Sequence, residues 1–442
     1  MGSRRIWATA EGRPYVQRPK ETALSTGHEF ASLRSALEEI PIVDTHEHYG
    51  EGWNAPGTTV YDLFAQSYVG WLALPDPEGP EGVRGAQDSE MERTPAGLAK
   101  WLEPKRFNSY TVSLLRGLSE LYGIDARGRD APSLEGLAEE VKRAYQDSKW
   151  AIGVLRKAGI AHTIVDPLPV PGYLHEEPTF HLALRSHMLV HGYDRTARDH
   201  GGDNPFEFAA RFGHDISTFQ DYLDWVDWWV RHHKEKGAVA IKSALAYERD
   251  IDVQPVTYRQ AKRIFDTGTK DPERQKRFGD FILDLLAKKA AEYGLVFQIH
   301  AGLAIQKGSH PWRLMWLFDN NPSTIFDLFH AGYPWTQEVL AMASERANVI
   351  VDTCWLPIIS PTAAVRFYQE YAEVAFRADT LMWGGDNWHA EESYAAALTF
   401  KDCLAKAIAE KVEGGYWTRR EGLRYAEGVM WRAAGRWFGI KM

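Results

Sequence analysis

His46-Glu47-His48 lies directly behind the apolar run Ile40-Pro41-Ile42-Val43-Asp44-Thr45. Side chains alternate along a strand with period two, so a strand ending in His-x-His sends both imidazoles to the same side. Two neutral imidazoles converging on one point form a chelate for a divalent metal. Two unrelated loop histidines are the plainer reading of the pair alone. The rest of the chain shifts the balance towards metal. His300 closes the run Val296-Phe297-Gln298-Ile299, and His330 closes 325–329 ahead of Ala331-Gly332. Asp386 follows Leu381-Met382-Trp383-Gly384-Gly385. Ionisable residues that close several apolar runs make a nitrogen and oxygen donor set suited to Zn²⁺, Mn²⁺ or Fe²⁺.

The elements that must position these residues are short β-rich runs separated by helical patterns, the signature of parallel βαβ construction. Strands are predicted at 41–45, 161–166, 180–190, 238–242, 295–300, 324–330, 349–353 and 380–384. Helices are predicted at 94–102, 133–145, 150–157, 216–233 and 277–293. Eight strands with room for a helix after each fit a (β/α)8 TIM barrel, whose catalytic groups sit at the C-terminal ends of the strands. The whole chain, 1–442, reads as a single barrel domain. Residues 50–150 are expected to form a mainly helical subdomain inserted after strand one, either a lid over the active-site mouth or a structural elaboration. The Pro-, Gly- and acid-rich stretch 75–85 is expected to be a loop.

Composition narrows the function classes. The net charge of −9 comes without a basic stripe, which argues against a nucleic-acid partner. No window approaches eighteen apolar residues, so no membrane span is expected, and residues 1–20 lack the apolar core of a secretory signal. Cys354 and Cys403 alone cannot build a disulfide framework, which suits a cytoplasmic location. The expected partners are a small-molecule substrate and a second copy of the chain, since dimers are the commonest closed assembly.

His46, His48, His300, His330 and Asp386, each at a different strand end apart from the paired histidines, resemble the amidohydrolase superfamily. Within it the chain is most similar to the amidohydrolase-2 type, predicted metal-dependent hydrolases of the TIM-barrel fold. The resemblance runs from about residue 40 to 440 and includes Phe329-His330-Ala331-Gly332-Tyr333-Pro334-Trp335. The closing helix reads Arg432-Ala433-Ala434 where relatives commonly carry Asn-Ala, a departure remote from the chemistry. The resemblance implies that His46, His48 and Asp386 bind the more buried metal. His300 completes the site in mononuclear members, and His300 with His330 holds a second ion in binuclear ones. Lys242 stands where binuclear members place a carboxylated lysine bridging two metals. Burial disfavours an ammonium, and a neutral amine takes up CO₂ to become a carbamate ligand. The alternative is a cationic Lys242 that binds a substrate carboxylate or pairs with an acid. Lys242-Ser243 through Ala246-Tyr247 and Arg249 is also similar to a phrase in nodulin-type amidohydrolase domains.

The function implied is a metal-dependent hydrolase, with one or two ions per chain and zinc first in line. It would cleave an amide, ester or lactone of a small carboxylated metabolite through a metal-activated water. Asp386 would take the proton from that water, His330 would act as acid or base where only one ion is bound, and Lys242 would hold or bridge the metal. Arg185, Tyr247, Arg249 and Trp355 are expected to bind substrate, and His389 is a lesser candidate beside Asp386. A single-metal decarboxylase of an aromatic or unsaturated acid is the first alternative, a uronate-isomerase-like enzyme the second. A metalloprotein without catalysis is the third.

Overall fold

A computed structural model describes residues 26–71, 91–304, 308–375 and 377–442. The stretches 1–20 and 75–85 discussed above lie outside these residues. Eight parallel strands follow one another in chain order: β1 (Ile42–Glu47), β2 (Ile160–Val165), β3 (Phe180–Arg185), β4 (Ala238–Ser243), β5 (Val296–Ile299), β6 (Phe326–Leu328), β7 (Val349–Asp352) and β8 (Leu381–Met382). The two ends of this sheet meet. Trp383 O accepts from Thr45 N at 3.2 Å, His46 O from Asp386 N at 2.7 Å, and Asn387 O from His48 N at 2.7 Å. Helices lie between the strands, so the molecule is a (β/α)8 barrel.

Local chemistry explains the helices that brace it. In Phe219–Glu235, Thr218 and Asp221 form a capping box, which places the start three residues beyond the predicted 216. Phe219, Tyr222, Trp225, Val226, Trp229 and Val230 are fully buried at helical spacing. Each such side chain contributes about 1.5–3 kcal/mol by leaving water. Pro272–Tyr293 starts five residues before the predicted 277 because Asp271 caps it and Pro272 suits a first turn. Trp150–Lys157 matches its predicted bounds, and Gly159 at φ +80° turns the chain into β2. Beneath the barrel, Ala433, Ala434 and Phe438 of the closing helix pack on Val43, Ile164, Ala183, Ala240, Val296, Ile350 and Met382.

Between β1 and the helix leading into β2 lie Val60–Ala65, Pro95–Leu102, Ser109–Tyr122 and Ala131–Ala144. Their buried faces share a small core of Val60, Leu63, Leu98, Leu118, Leu137 and Val141. One buried carboxylate ties this region to the helix Ala390–Glu413. Glu391 accepts from Tyr122 Oη (2.9 Å), Tyr145 Oη (3.0 Å) and Trp150 Nε1 (2.8 Å).

Most predicted strands shift at their ends, and three of the changes bear on the site. β1 runs on through Glu47, so His46 is a strand residue, and a register shift against β2 falls between Asp44 and Glu47. The run 180–190 breaks at Ser186, and His187–His191 forms a buried 3₁₀ turn. Apolar periodicity alone cannot separate a buried turn of that length from a strand. β6 stops at Leu328, because His330 and Ala331 adopt positive φ and bend the chain out of the sheet.

Candidate metal centre

Six side chains singled out from sequence meet at the C-terminal ends of the strands. His46 Nε2 lies 3.1 Å from Lys242 Nζ and 3.9 Å from Asp386 Oδ1. His48 Nε2 is 3.0 Å from the same Asp386 oxygen. His330 Nε2 is 3.0 Å from His300 Nδ1 and 3.9 Å from Asp386 Oδ2. His46 and His330 are fully buried, and Lys242, His300 and Asp386 nearly so. The Lys242 ammonium position lies 4.0 Å over the Phe329 ring.

Hydrogen bonds to carbonyls fix which ring nitrogens carry protons. A carbonyl only accepts, so His48 Nδ1 donates to Asp166 O at 3.0 Å and His330 Nδ1 to Cys354 O at 2.8 Å. His300 Nε2 donates to Leu303 O at 3.3 Å. In the neutral rings the other nitrogens are then lone-pair acceptors. Two of these acceptors, His300 Nδ1 and His330 Nε2, face each other at 3.0 Å, and His48 Nε2 faces a carboxylate oxygen at the same distance. His46 Nδ1 is buried without a hydrogen-bond partner. Acceptors aimed at one another repel unless a cation sits between them. The donor set therefore fits a divalent metal ion, with His46, His48, His300, His330 and Asp386 as ligands and Lys242 alongside.

The electrostatics agree. Burial, followed by Lys242, holds His46 well below the usual histidine range, and burial followed by His330 does the same for His300. Burial lowers His330 to about 4. Burial alone would raise the Asp386 carboxyl, but the His48 contact and the neighbouring imidazoles hold it well below the usual carboxylate range. At neutral pH His46, His300 and His330 are thus neutral imidazoles and Asp386 is an ionised carboxylate, the forms that bind metal.

Backbone strain is concentrated here. Among the described residues, five non-glycines have positive φ, and four of them are His330 (61°), Ala331 (46°), Trp355 (64°) and Asp386 (66°). Each costs about 1–3 kcal/mol and persists only where the surroundings impose it. Gly384 and Gly385 allow β8 to approach β1 closely. A Cβ on Gly385 would lie 2.1 Å from Glu47 Oε1, and one on Gly384 2.7 Å from His46 N.

Other candidates fall into two groups. The Tyr247 ring centre is 4.5 Å from that of His300, and Trp355 is 5.2 Å from His330. Trp355 stacks on Tyr68, and Trp388 lies over His48. Tyr68 and Tyr110, from the region between β1 and β2, complete an aromatic wall that the sequence did not single out. Arg185 and Arg249 are engaged elsewhere. Arg185 Nη2 contacts Asp203 at 3.4 Å and Pro169 O at 3.1 Å, while Arg249 pairs with Asp280 of Pro272–Tyr293 at 2.8 Å. Both guanidinium groups therefore already have acidic partners, which weakens the case for them as anchors of a substrate carboxylate. His389 is paired with Glu392 at 2.9 Å.

Residues absent from the sequence reading support the centre from below. Asp44 accepts from His46 N and Gly385 N, and Asp352 accepts from Thr45 Oγ1 and Cys354 N. Burial lifts the first carboxyl to about 6 and the second to about 7. Asp44 and Asp352 stand inside apolar runs, where only their poor strand propensity marks them.

Residues 216–415 match the family model Amidohydro_2, amidohydrolase. That span contains Lys242, His300, His330 and Asp386 and leaves out His46 and His48. Protein fluG of Emericella nidulans is 25% identical over 226 residues, which are 47% of this chain and only 26% of that protein's length. Solved structures share the architecture at low identity. A uronate isomerase of Thermotoga maritima aligns with a TM-score of 0.71 at 17% identity over 93% of this chain and 97% of its own. A glucuronate isomerase of Caulobacter crescentus aligns with a TM-score of 0.71 at 16% identity over 96% of each chain. A protein of Lactobacillus casei assigned as a metal-dependent hydrolase aligns with a TM-score of 0.64 at 17% identity over 92% of this chain and 97% of its own. With β4 to β8 inside the matched span and the whole fold on the same barrel as these structures, this chain is a TIM barrel that resembles the amidohydrolase family over residues 216–415.

Proposed function

We propose that this chain is a metal-dependent hydrolase that cleaves an amide, ester or lactone bond of a small metabolite. The observation that carries the reading is the acceptor-to-acceptor contact of His300 Nδ1 and His330 Nε2 at 3.0 Å, with His48 Nε2 3.0 Å from Asp386 beside it. His46, His48, His300, His330 and Asp386 would hold a divalent ion, zinc first, which when bound would polarise a carbonyl and acidify water. Asp386 accepts the proton of the attacking water and returns it to the leaving group. The carbonyl-bound Nδ1 atoms of His48 and His330 keep both rings oriented. Phe329, Trp355, Trp388 and Tyr68 keep bulk water away and offer a flat, apolar surface to the substrate. The helices between β1 and β2 are read as its cover.

A uronate-isomerase-like reaction is the second reading, favoured by the two isomerase structures that align over nearly the full length of this chain. The decarboxylase reading needs His330 as a proton donor, and a ring lowered to about 4 is a poor source of protons at neutral pH. The test is to strip the full chain of metal, restore Zn²⁺, Mn²⁺ or Fe²⁺, and assay amides, esters, lactones, uronates and aromatic acids. Metal-dependent hydrolysis that disappears in Asp386→Asn supports the proposal. Interconversion of uronates without any hydrolysis, or CO₂ release, overturns it.

A further inference from the structure

A second cluster of ligand-type side chains lies on the neighbouring loops, outside the centre described above. His187 stands in the 3₁₀ turn after β3, His200 in the loop that follows, and Glu248 just past β4. One donor atom from each lies within 4.8 Å of the others. The His187 and His200 rings stack with centres 4.8 Å apart. Glu248 Oε1 is 2.8 Å from His200 Nδ1, and its Oε2 is 2.6 Å from His191 Nε2.

His187 is the independent observation. Its side chain is wholly buried, yet neither ring nitrogen has a hydrogen-bond partner. Its Nε2 is 3.1 Å from Asp199 Oδ2, but the pair is not aligned for a hydrogen bond, and that oxygen is likewise buried and unsatisfied. Asp199 Oδ1 is already occupied by the N–H groups of Gly201 and Asp203. Nε2 has Asp199 beside it, but a buried ring nitrogen left unpaired costs about 1–3 kcal/mol, so a native protein supplies a partner for His187 Nδ1. A carboxylate facing the back of a ligating imidazole is also the arrangement that sets ring orientation at metal sites.

We propose that His187, His200 and Glu248 bind a second, separate divalent transition-metal ion, with Asp199 orienting His187. Two imidazoles and one carboxylate suit Zn²⁺ or Co²⁺. Tetrahedral ligands about 2.0–2.2 Å from an ion are about 3.4 Å apart, so the widest separation must close by about 1.4 Å, within reach of side-chain rotation. Burial keeps His187 below the usual histidine range. For Glu248 burial acts upwards, but the hydrogen bonds from His191 and His200 prevail and hold it well below the usual carboxylate range. Both are then in their metal-binding forms at neutral pH. A cavity of about 340 Å³ lined by His191, Glu248, Leu245 and Arg249 lies on the Glu248 side of the cluster. Bound there, the ion pins the loop carrying His187 and His200 to the end of β4. Next in that chain is Tyr247, whose ring packs on both His200 and His300.

The test is metal counting on the full chain. Metal-stripped protein is dialysed against Co²⁺, and bound cobalt is measured by elemental analysis and by its visible spectrum. His200→Ala, at a partly exposed position, and His187→Asn are each expected to lose one equivalent relative to wild type. The same loss is expected in a His46→Ala/His48→Ala background, so a failure of the barrel centre is read separately. Wild-type cobalt counts in both variants overturn the proposal, even if their melting temperatures fall, since the cluster is then only a hydrogen-bonded brace.

Discussion

Replacing Glu391 with alanine removes the one carboxylate that receives Tyr122, Tyr145 and Trp150. Hydrogen bonds to a charged acceptor contribute about 1.5–3 kcal/mol each. Tyr145 is 3% exposed and is left with an unsatisfied hydroxyl, whereas Tyr122 and Trp150 are half-buried and can recruit water. The variant also no longer has to desolvate a carboxylate, which offsets part of the loss. The net destabilisation expected is about 3 kcal/mol. The effect should be regional, because the three donors all belong to the segment before β2. Urea unfolding gives the free energy, and amide hydrogen exchange gives its location. Faster exchange is expected across Ser109–Tyr122 and Ala131–Ala144, with the barrel strands protected as before. A destabilisation below about 1 kcal/mol, or an increase spread evenly over the strands, would refute the assignment of Glu391 as the fastening point.

Asp386→Asn keeps the shape but loses the charge and the proton acceptor, so metal affinity should fall and turnover should drop about 10²–10⁴-fold, measured by metal titration and kinetics at saturating metal. Gly385→Ala places a methyl 2.1 Å from Glu47 Oε1 and 2.5 Å from Asn387 Nδ2, and an overpacking cost of about 1–3 kcal/mol is expected together with weaker metal binding. His233 is buried, bonded to Trp229 O, and lowered by burial to about 4. It folds neutral but is protonated in the unfolded chain below about 6.5, so its cost grows as pH falls from 6.5 to 4 and is absent above that window. The stability difference between wild type and His233→Gln should therefore shrink by about 3 kcal/mol on acidification across that range, and a pH-independent difference would show that burial does not perturb this ring.

The eight strands were legible because buried parallel strands are near-continuous apolar runs, and the convergence of the candidate ligands because each closes such a run. His46 and His48 stood out because they lie two positions apart at the end of one such run. Arg185 and Arg249 were harder. A rim arginine and an arginine paired with Asp203 or Asp280 have the same local sequence, and the partners lie 18 and 31 positions away. Tyr68 and Tyr110 were invisible for a related reason, since their ring contacts depend on how the helices between β1 and β2 dock. The cluster of His187, His200 and Glu248 has no recognisable spacing, because the loop between β3 and β4 folds back on itself to bring the three together.

The backbone contacts that close the sheet also bring the candidate ligands together, because His46, His48 and Asp386 take part in both. Glu47 and Asn387, which also touch, are 340 positions apart. During synthesis at about 5–20 residues per second, the paired histidines wait about 20–70 s before their carboxylate partner exists. For that interval a passing ion meets only a two-imidazole chelate, so tight capture belongs to the finished chain. A product that stops before Leu381 lacks both the last strand and the Asp386 carboxylate, so the proposed centre requires the chain through Asp386.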